Sequence, residues 1–265
     1  MSLQNQTAHL LRTLHKPGNP IILTNVWDAI SAKAIASLPQ TQAIATASFA
    51  IAAAAGLEDD HLTLDVNLRA IRAIAPIAAA YNKPLTVDFQ DGFGDRLEEG
   101  IREILKLGVV GINLEDFGRE MSVDGGDGKG GLYSISTAQE RIRRVMAIAK
   151  EEGVPDFVVN ARTDALLHGH PVAEVVERGK AYLDAGAANV FVWGGVKRGG
   201  MRREEVQECC REFGGRLNVS MKLTPGNLTL EELREIGVAR ISIGPQLMLK
   251  SAGFVAEEAR RVLGV

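Results

Sequence analysis

The chain has 265 residues, 46% of them hydrophobic, and its 30 Lys+Arg against 33 Asp+Glu leave a formal net charge of -3. That length suits one large domain or two small ones, and α/β barrels reach it as a single unit. The charge balance gives no basic field for nucleic acid, no apolar run approaches the roughly 18 to 20 residues of a membrane span, and Met1 to His15 reads as a short polar-apolar helix without signal-peptide character, so a cytoplasmic protein with small-molecule partners is expected.

Past that N-terminal helix, short apolar runs suited to strands alternate with amphipathic stretches. Ile21 to Thr24 reads as a strand, followed by a helix near Ala29 to Ser37. Ala43 to Ala47 is the next strand, with a helix over Asp65 to Tyr81, and Leu85 to Asp88 precedes a helix over Leu97 to Leu107. Val109 to Glu115 follows, then a long interruption and a helix over Thr137 to Glu151. The remaining strands are Asp156 to Arg162, Ala188 to Trp193, Arg216 to Ser220 and Val238 to Ile243. Their helices are Val172 to Ala185, Arg203 to Phe213, Leu230 to Ile236 and a last one near Leu247 to Leu263.

Such alternation predicts parallel βαβ units. Gly108, Gly153, Gly186, Gly214 and Gly237 each fall just after a helical pattern, where a left-handed cap turns the chain back toward a strand. A single α/β domain, a (β/α)8 TIM-type barrel over residues 1–265, is therefore expected. A doubly wound open sheet is the alternative, but no G-x-G-x-x-G follows the first strand. Cys209 and Cys210 are adjacent in a helical stretch, which suits packed thiols better than a disulfide or zinc.

A barrel does its chemistry at the C-terminal ends of its strands, where Asp88, Glu115, Arg162 and Trp193 fall. The run Val87-Asp88-Phe89-Gln90-Asp91-Gly92-Phe93-Gly94 ends an apolar strand in carboxylate and amide oxygens, and Asp59 closes Gly56-Leu57-Glu58-Asp59. Oxygen ligands at successive strand ends, completed by water, suit a small hard cation such as Mg2+. The Arg162 fork suits a carboxylate or phosphonate on a substrate, or serves as structural partner to Asp164 or Glu115. Asn113 and Asn160 are candidates for orienting the carboxylates, Trp193 for a pocket wall, and Lys222 and Thr224-Pro225 for the active face. His168 and His170 read as solvated loop residues. Residues 117–133 are too glycine-rich for a regular element and read as a lid, or as an inert surface insertion.

The same residues give the chain a resemblance, over nearly its whole length, to the isocitrate lyase/phosphoenolpyruvate mutase superfamily. The resemblance rests on Asn25-Val26-Trp27-Asp28, Thr46-Ala47-Ser48-Phe49-Ala50, the Gly-x-x-Asp ending at Asp59, the partial Asp-x-Asp-x-Gly-x-Gly from Asp88, Leu114-Glu115-Asp116, and Ala161-Arg162-Thr163-Asp164-Ala165, in that order. It implies a phosphonomutase-like barrel whose last helix is swapped between subunits, in a homo-oligomer that is a dimer or, more usually in the superfamily, a homotetramer. It further implies a Mg2+ cofactor, with Mn2+ as a substitute, bound directly by Asp88 and through water by Asp59, Glu115 and Gln90. Ser48 and Phe49 are implied as backbone donors to a substrate carboxylate, and Asn218 and Arg162 as substrate contacts, Arg162 being also the catalytic residue.

The implied activity is a lyase or decarboxylase acting on a small 2-oxo or 2-hydroxy (di)carboxylic acid through an enolate-like intermediate, whose developing charge a cation would offset. Phosphonomutase or phosphonopyruvate hydrolase chemistry at a C–P bond is the alternative, and a non-catalytic keto-acid binder is a third. Two features depart from the pattern. Gln90 stands where many relatives carry a second aspartate, and Asp91 should face away if the strand continues. The lid has no cysteine, since none occurs before Cys209, and Arg119, Ser122 and Lys129 match the mutase lid poorly.

Overall fold

The computed structural model describes residues 2–119 and 130–265. Its main sheet has eight parallel strands: β1 (Ile21–Leu23), β2 (Ile44–Ala45), β3 (Leu85–Asp88), β4 (Gly111–Glu115), β7 (Val158–Thr163), β8 (Asn189–Val192), β9 (Leu217–Ser220) and β10 (Arg240–Ser242). Their order is β1-β10-β9-β8-β7-β4-β3-β2. The ring closes between its first and last strands by a parallel bridge of Val26 to Thr46, where the Val26 N–H donates to the Ala45 carbonyl at 2.8 Å. Asn25 seals that seam: its Nδ2 donates to the Thr46 carbonyl at 2.7 Å, while its Oδ1 accepts the N–H groups of Ile243 and Gly244 at 3.2 and 2.9 Å. The (β/α)8 barrel is therefore the fold.

Around it lie α2 (Ala29–Ala36), α4 (Leu64–Ala80), α5 (Leu97–Lys106), α6 (Ile135–Glu151), α7 (Val172–Asp184), α8 (Arg203–Glu212), α9 (Leu230–Ile236) and α10 (Gln246–Leu263). All five expected cap glycines adopt left-handed φ, from 60 to 109°. The apolar core fills the layer between strands and helices, with Ile104, Val110, Ile112, Ile142 and Val159 in one cluster and Val175, Val190, Phe213 and Leu217 in a second. Cys209 and Cys210 are free, buried thiols of that second cluster, and burial pushes Cys209 up to about 12.

The N-terminal helix α1 (Leu3–Leu14) braces the strands' N-terminal ends. Gln4 Nε2 donates to the Leu105 and Val109 carbonyls at 2.8 and 3.1 Å, and Arg12 Nη2 to that of Phe157 at 2.9 Å. Gly111 allows the close approach, because a Cβ there would stand 3.0 Å from Leu11 Cδ2 and 2.9 Å from the Val158 carbonyl oxygen. No described helix is long and apolar enough to cross a membrane.

Two elements depart from the sequence reading. Ser48 to Ala54 forms α3, whose alanine-rich run lacks the polar face that would mark a surface helix. Inside the expected lid, β5 (Phe117–Gly118) pairs antiparallel with β6 (Gly131–Leu132). Ser122 and Lys129, with the rest of 120–129, lie outside the described residues.

The barrel interior is unusually polar. Arg240 Nη2 on β10 donates to Asn113 Oδ1 on β4 at 3.0 Å, a contact that spans the barrel because three strands separate the two in the sheet. Asn160 Nδ2 donates to the same oxygen at 2.8 Å, and Asn189 and Asn218 are both fully buried. Interior positions of such barrels are ordinarily filled by branched apolar side chains.

Candidate active site

The cluster at the C-terminal face grows out of β3 and its neighbours. Asp88 ends β3 with its own N–H held by Thr46 Oγ1 at 2.8 Å, and its Oδ2 accepts the Ser48 N–H, at the start of α3, at 3.0 Å. The structure thus places Ser48 and Phe49 above Asp88, with the Ser48 donor already engaged. Phe49 is the second residue of α3, a position whose N–H has no partner within a helix, and its side chain is partly exposed.

Asp59 opens a short 3-10 turn, Asp59–His61, and is close enough to Asp88 to feel its field. Burial first, then Asp88, pushes the Asp59 carboxyl above its ordinary value; burial likewise raises Asp88, against the pull of Arg162. Gln90 has φ of 47°, and its Nε2 donates to the Asp59 backbone carbonyl at 2.9 Å and to Asp59 Oδ1 at 3.2 Å. The amide therefore joins the cluster as a donor fixing Asp59. Asp91 turns away: its Oδ2 accepts the Tyr133 hydroxyl at 2.9 Å and its Oδ1 the Phe93 N–H at 3.0 Å.

Glu115 is buried at the end of β4, between Arg162 Nη1 at 2.8 Å and Arg119. Arg162 is equally committed, its Nε and Nη2 gripping Asp164 at 2.6 and 2.7 Å. Burial opposes its charge, but Asp164 and Glu115 outweigh that and hold it above its ordinary value. Burial raises Asp164 in turn, opposed by Arg162. The Arg162 guanidinium carbon lies 4.5 Å over the Trp193 ring, which makes Trp193 a wall of this cluster.

Other candidates stand farther off. Asn218 lies within β9, below its end at Ser220, where its Nδ2 donates to Ser242 Oγ at 3.2 Å. His168 stacks on Phe117 at 4.6 Å, at the base of the β5–β6 hairpin, and His170 pairs with Glu174 at 2.7 Å. Asp116 reaches Tyr182 at 2.6 Å and Arg178 at 3.3 Å beneath the site. Arg119 as a Glu115 partner and Asp116 as a bracing carboxylate were not apparent from spacing.

Among the described residues, no three His, Cys, Asp or Glu side chains converge tightly enough to enclose an ion by themselves. A cation held by Asp88 with water on the remaining positions is the mode that this spacing accommodates, and Mg2+ prefers it. Asp59 and Asp88, both raised first by burial, are the carboxyls whose negative charge such an ion would offset.

A barrel with carboxylates from β3 and β4 opposite a buttressed arginine has the groups that chemistry on small acids uses. Residues 11–263 match the family model for phosphoenolpyruvate phosphomutase, and the chain belongs to that family, within the isocitrate lyase/PEP mutase superfamily. It is 31% identical over 234 residues to an uncharacterised protein of Mycobacterium tuberculosis, covering 87% of this chain and 80% of that one. It is 32% identical over 196 residues to 2-methylisocitrate lyase of Escherichia coli, covering 68% of this chain and 62% of the enzyme. A candidate phosphonomutase of Burkholderia cenocepacia matches with TM-score 0.82 at 30% identity, covering 99% and 100% of the two chains. Phosphonopyruvate hydrolase in complex with oxalate and Mg2+ has the same fold, with TM-score 0.81 at 24% identity, covering 99% of this chain and 88% of that one.

Proposed function

We propose that the protein is a Mg2+-dependent carbon–carbon lyase or decarboxylase acting on a small 2-oxo or 2-hydroxy dicarboxylic acid. The observation that carries this reading is the Asp59–Asp88 pair, two carboxyls raised by burial and anchored by the Gln90 amide and the Ser48 N–H, facing an arginine fixed between Asp164 and Glu115. Asp88 would hold the cation directly and Asp59 and Glu115 through water, with Gln90 keeping Asp59 oriented. When bound, the cation would supply positive charge where negative charge develops on the substrate oxygens.

The remaining steps belong to the chain's own groups. Phe49 N–H, with Ser48 N–H when Asp88 releases it, would bind a substrate carboxylate. Arg162, on its rigid double ion pair, would orient a second anionic oxygen, and Trp193 would exclude water from that side. Titration calorimetry with Mg2+ and then with oxalate tests the site, and turnover of 2-hydroxy dicarboxylates to 2-oxo acid products tests the chemistry. Absence of both binding steps sinks the reading.

The full-length likeness to the candidate phosphonomutase favours C–P chemistry as a second reading. Phosphorus NMR with phosphonopyruvate separates the two, because an unchanged signal excludes it. A non-catalytic keto-acid binder would take up oxalate but turn over nothing faster than an Asp88→Ala variant. The exposed apolar face of α10 supports the further reading that this helix packs on a second copy, in a dimer or tetramer.

A further inference from the structure

Of the two arginines buried among the described residues, Arg178 lies between Asp116 and Glu174, whereas Arg240 touches no carboxylate. Arg240 is 1% exposed. Its Nη2 donates to Asn113 Oδ1 at 3.0 Å, and its Nη1 faces His15 Nε2 at 3.4 Å. His15 Nδ1 lies 2.8 Å from the Leu11 carbonyl, which can only accept, so the ring is a neutral acceptor toward Arg240. Burial and the neighbouring Arg240 push His15 down to about 3, in keeping with that neutral form. Burial also pushes Arg240 down to about 9, which leaves it charged at neutral pH, and the carboxylate whose charge reaches it is Asp88.

Several polar atoms of the same interior have no partner: Arg240 Nε, Thr86 Oγ1, Asn160 Oδ1, Asn218 Oδ1 and both side-chain polar atoms of Asn189. The register ties them together, with Asp88 opposite Asn113, Asn113 opposite Asn160, Asn160 opposite Asn189, and Arg240 opposite Asn218. Buried groups of this kind are almost always satisfied, and a mixture of donors and acceptors is satisfied by water more readily than by any single ion.

We propose that Arg240 is a positioning residue of the active site, a buried cation that organises internal water and the asparagine layer beneath Asp88 and whose charge offsets the site carboxylates from below. It rests on the reading of the cluster as a cation and anion site. Removing the charge should then move the two ligands in opposite directions, whereas a merely structural arginine would weaken both.

The test is Arg240→Met, with Mn2+ affinity measured by electron paramagnetic resonance and oxalate affinity of the Mn2+-loaded protein by calorimetry. The expected result is Mn2+ bound roughly three- to tenfold tighter and oxalate bound more weakly by a similar factor, with Arg240→Lys close to the wild type. Unchanged constants, or a fall in both, overturn the proposal. If Arg240→Met does not fold, Arg240→Gln removes the same charge and reads the same constants. A wild-type protein that binds neither ligand defeats the proposed function instead. In that case a high-resolution crystal structure still decides the Arg240 layer: waters bridging Arg240 Nε to the asparagines support it, and a dry interior or an Arg240 turned from Asn113 overturns it.

Discussion

Asp88 combines three constraints at one side chain: burial, a backbone donor from Ser48, and the opposed fields of Arg162 and Glu115. On the proposed reading Asp88 binds the cation directly, and replacing it with Asn would remove that charge. Asp88→Asn should weaken Mg2+ binding about 100-fold, near 2.7 kcal/mol, in a titration, with little change in the circular dichroism spectrum. The raised carboxyls also set a pH dependence. The folded chain holds these protons more tightly than the unfolded chain, so the metal-free protein loses stability as pH rises from the ordinary carboxylate range through the raised values. Cation binding needs the deprotonated forms and gains over the same window. The rise in melting temperature caused by Mg2+ should grow as pH rises above the ordinary carboxylate range, and a flat response would separate Asp59 and Asp88 from the cation. Arg162 differs in kind, because its role is geometric. Lys keeps the charge but cannot grip Asp164 at two points while reaching Glu115, so Arg162→Lys should cost about 2–3 kcal/mol in urea unfolding and most of the oxalate affinity.

At the scale of elements, the site depends on how tightly the chain packs behind it. Gly111 lets α1 lie against the foot of β4, the strand that ends in Glu115. Gly111→Ala forces its Cβ against the Val158 carbonyl and Leu11 and should lower stability by about 1–3 kcal/mol in a denaturant titration; an unchanged midpoint would mean that α1 can retreat freely. The strands were legible because a parallel strand buried on both faces reads as a continuous apolar run, and α5 to α9 are each followed by a glycine in the left-handed conformation that a cap requires. Helix α3 was not, since seven residues of Ser, Phe, Ile and Ala carry no periodic polar face. The Asp88 and Glu115 positions followed from strand ends, and Asp59 from a short motif. The Arg240 layer did not follow, although an arginine within the apolar run Val238 to Ile243 was the available signal. Its meaning depends on a contact across the barrel to Asn113, which no local pattern encodes.

For the whole molecule, the largest unbalanced feature is α10. None of its 18 residues is buried, yet Leu249, Phe254, Val255, Val262 and Leu263 are all more than half exposed. Between this helix and the body runs a groove of about 440 Å³, with Trp27, Ala53 and Ala54 on one side and Met248, Ala252 and Val255 on the other. Ala53 and Ala54 end α3, the helix that begins at Ser48, and Trp27 packs against the Ile51–Ala52 cluster of the same helix, so an occupant of the groove would press on the element that positions Ser48. A second copy supplying the same helix reciprocally would cover both patches, and each large side chain so buried contributes about 1–2 kcal/mol. The double variant Phe254→Glu, Val262→Glu places two charges on that surface without touching a buried contact. Light scattering after gel filtration should give a mass of two or four chains for the wild type and one chain for the variant. The variant should also lose oxalate affinity if the partner helix supports Trp27 and α3. A monomeric wild type, or a variant of unchanged mass, would leave the α10 face without its proposed role.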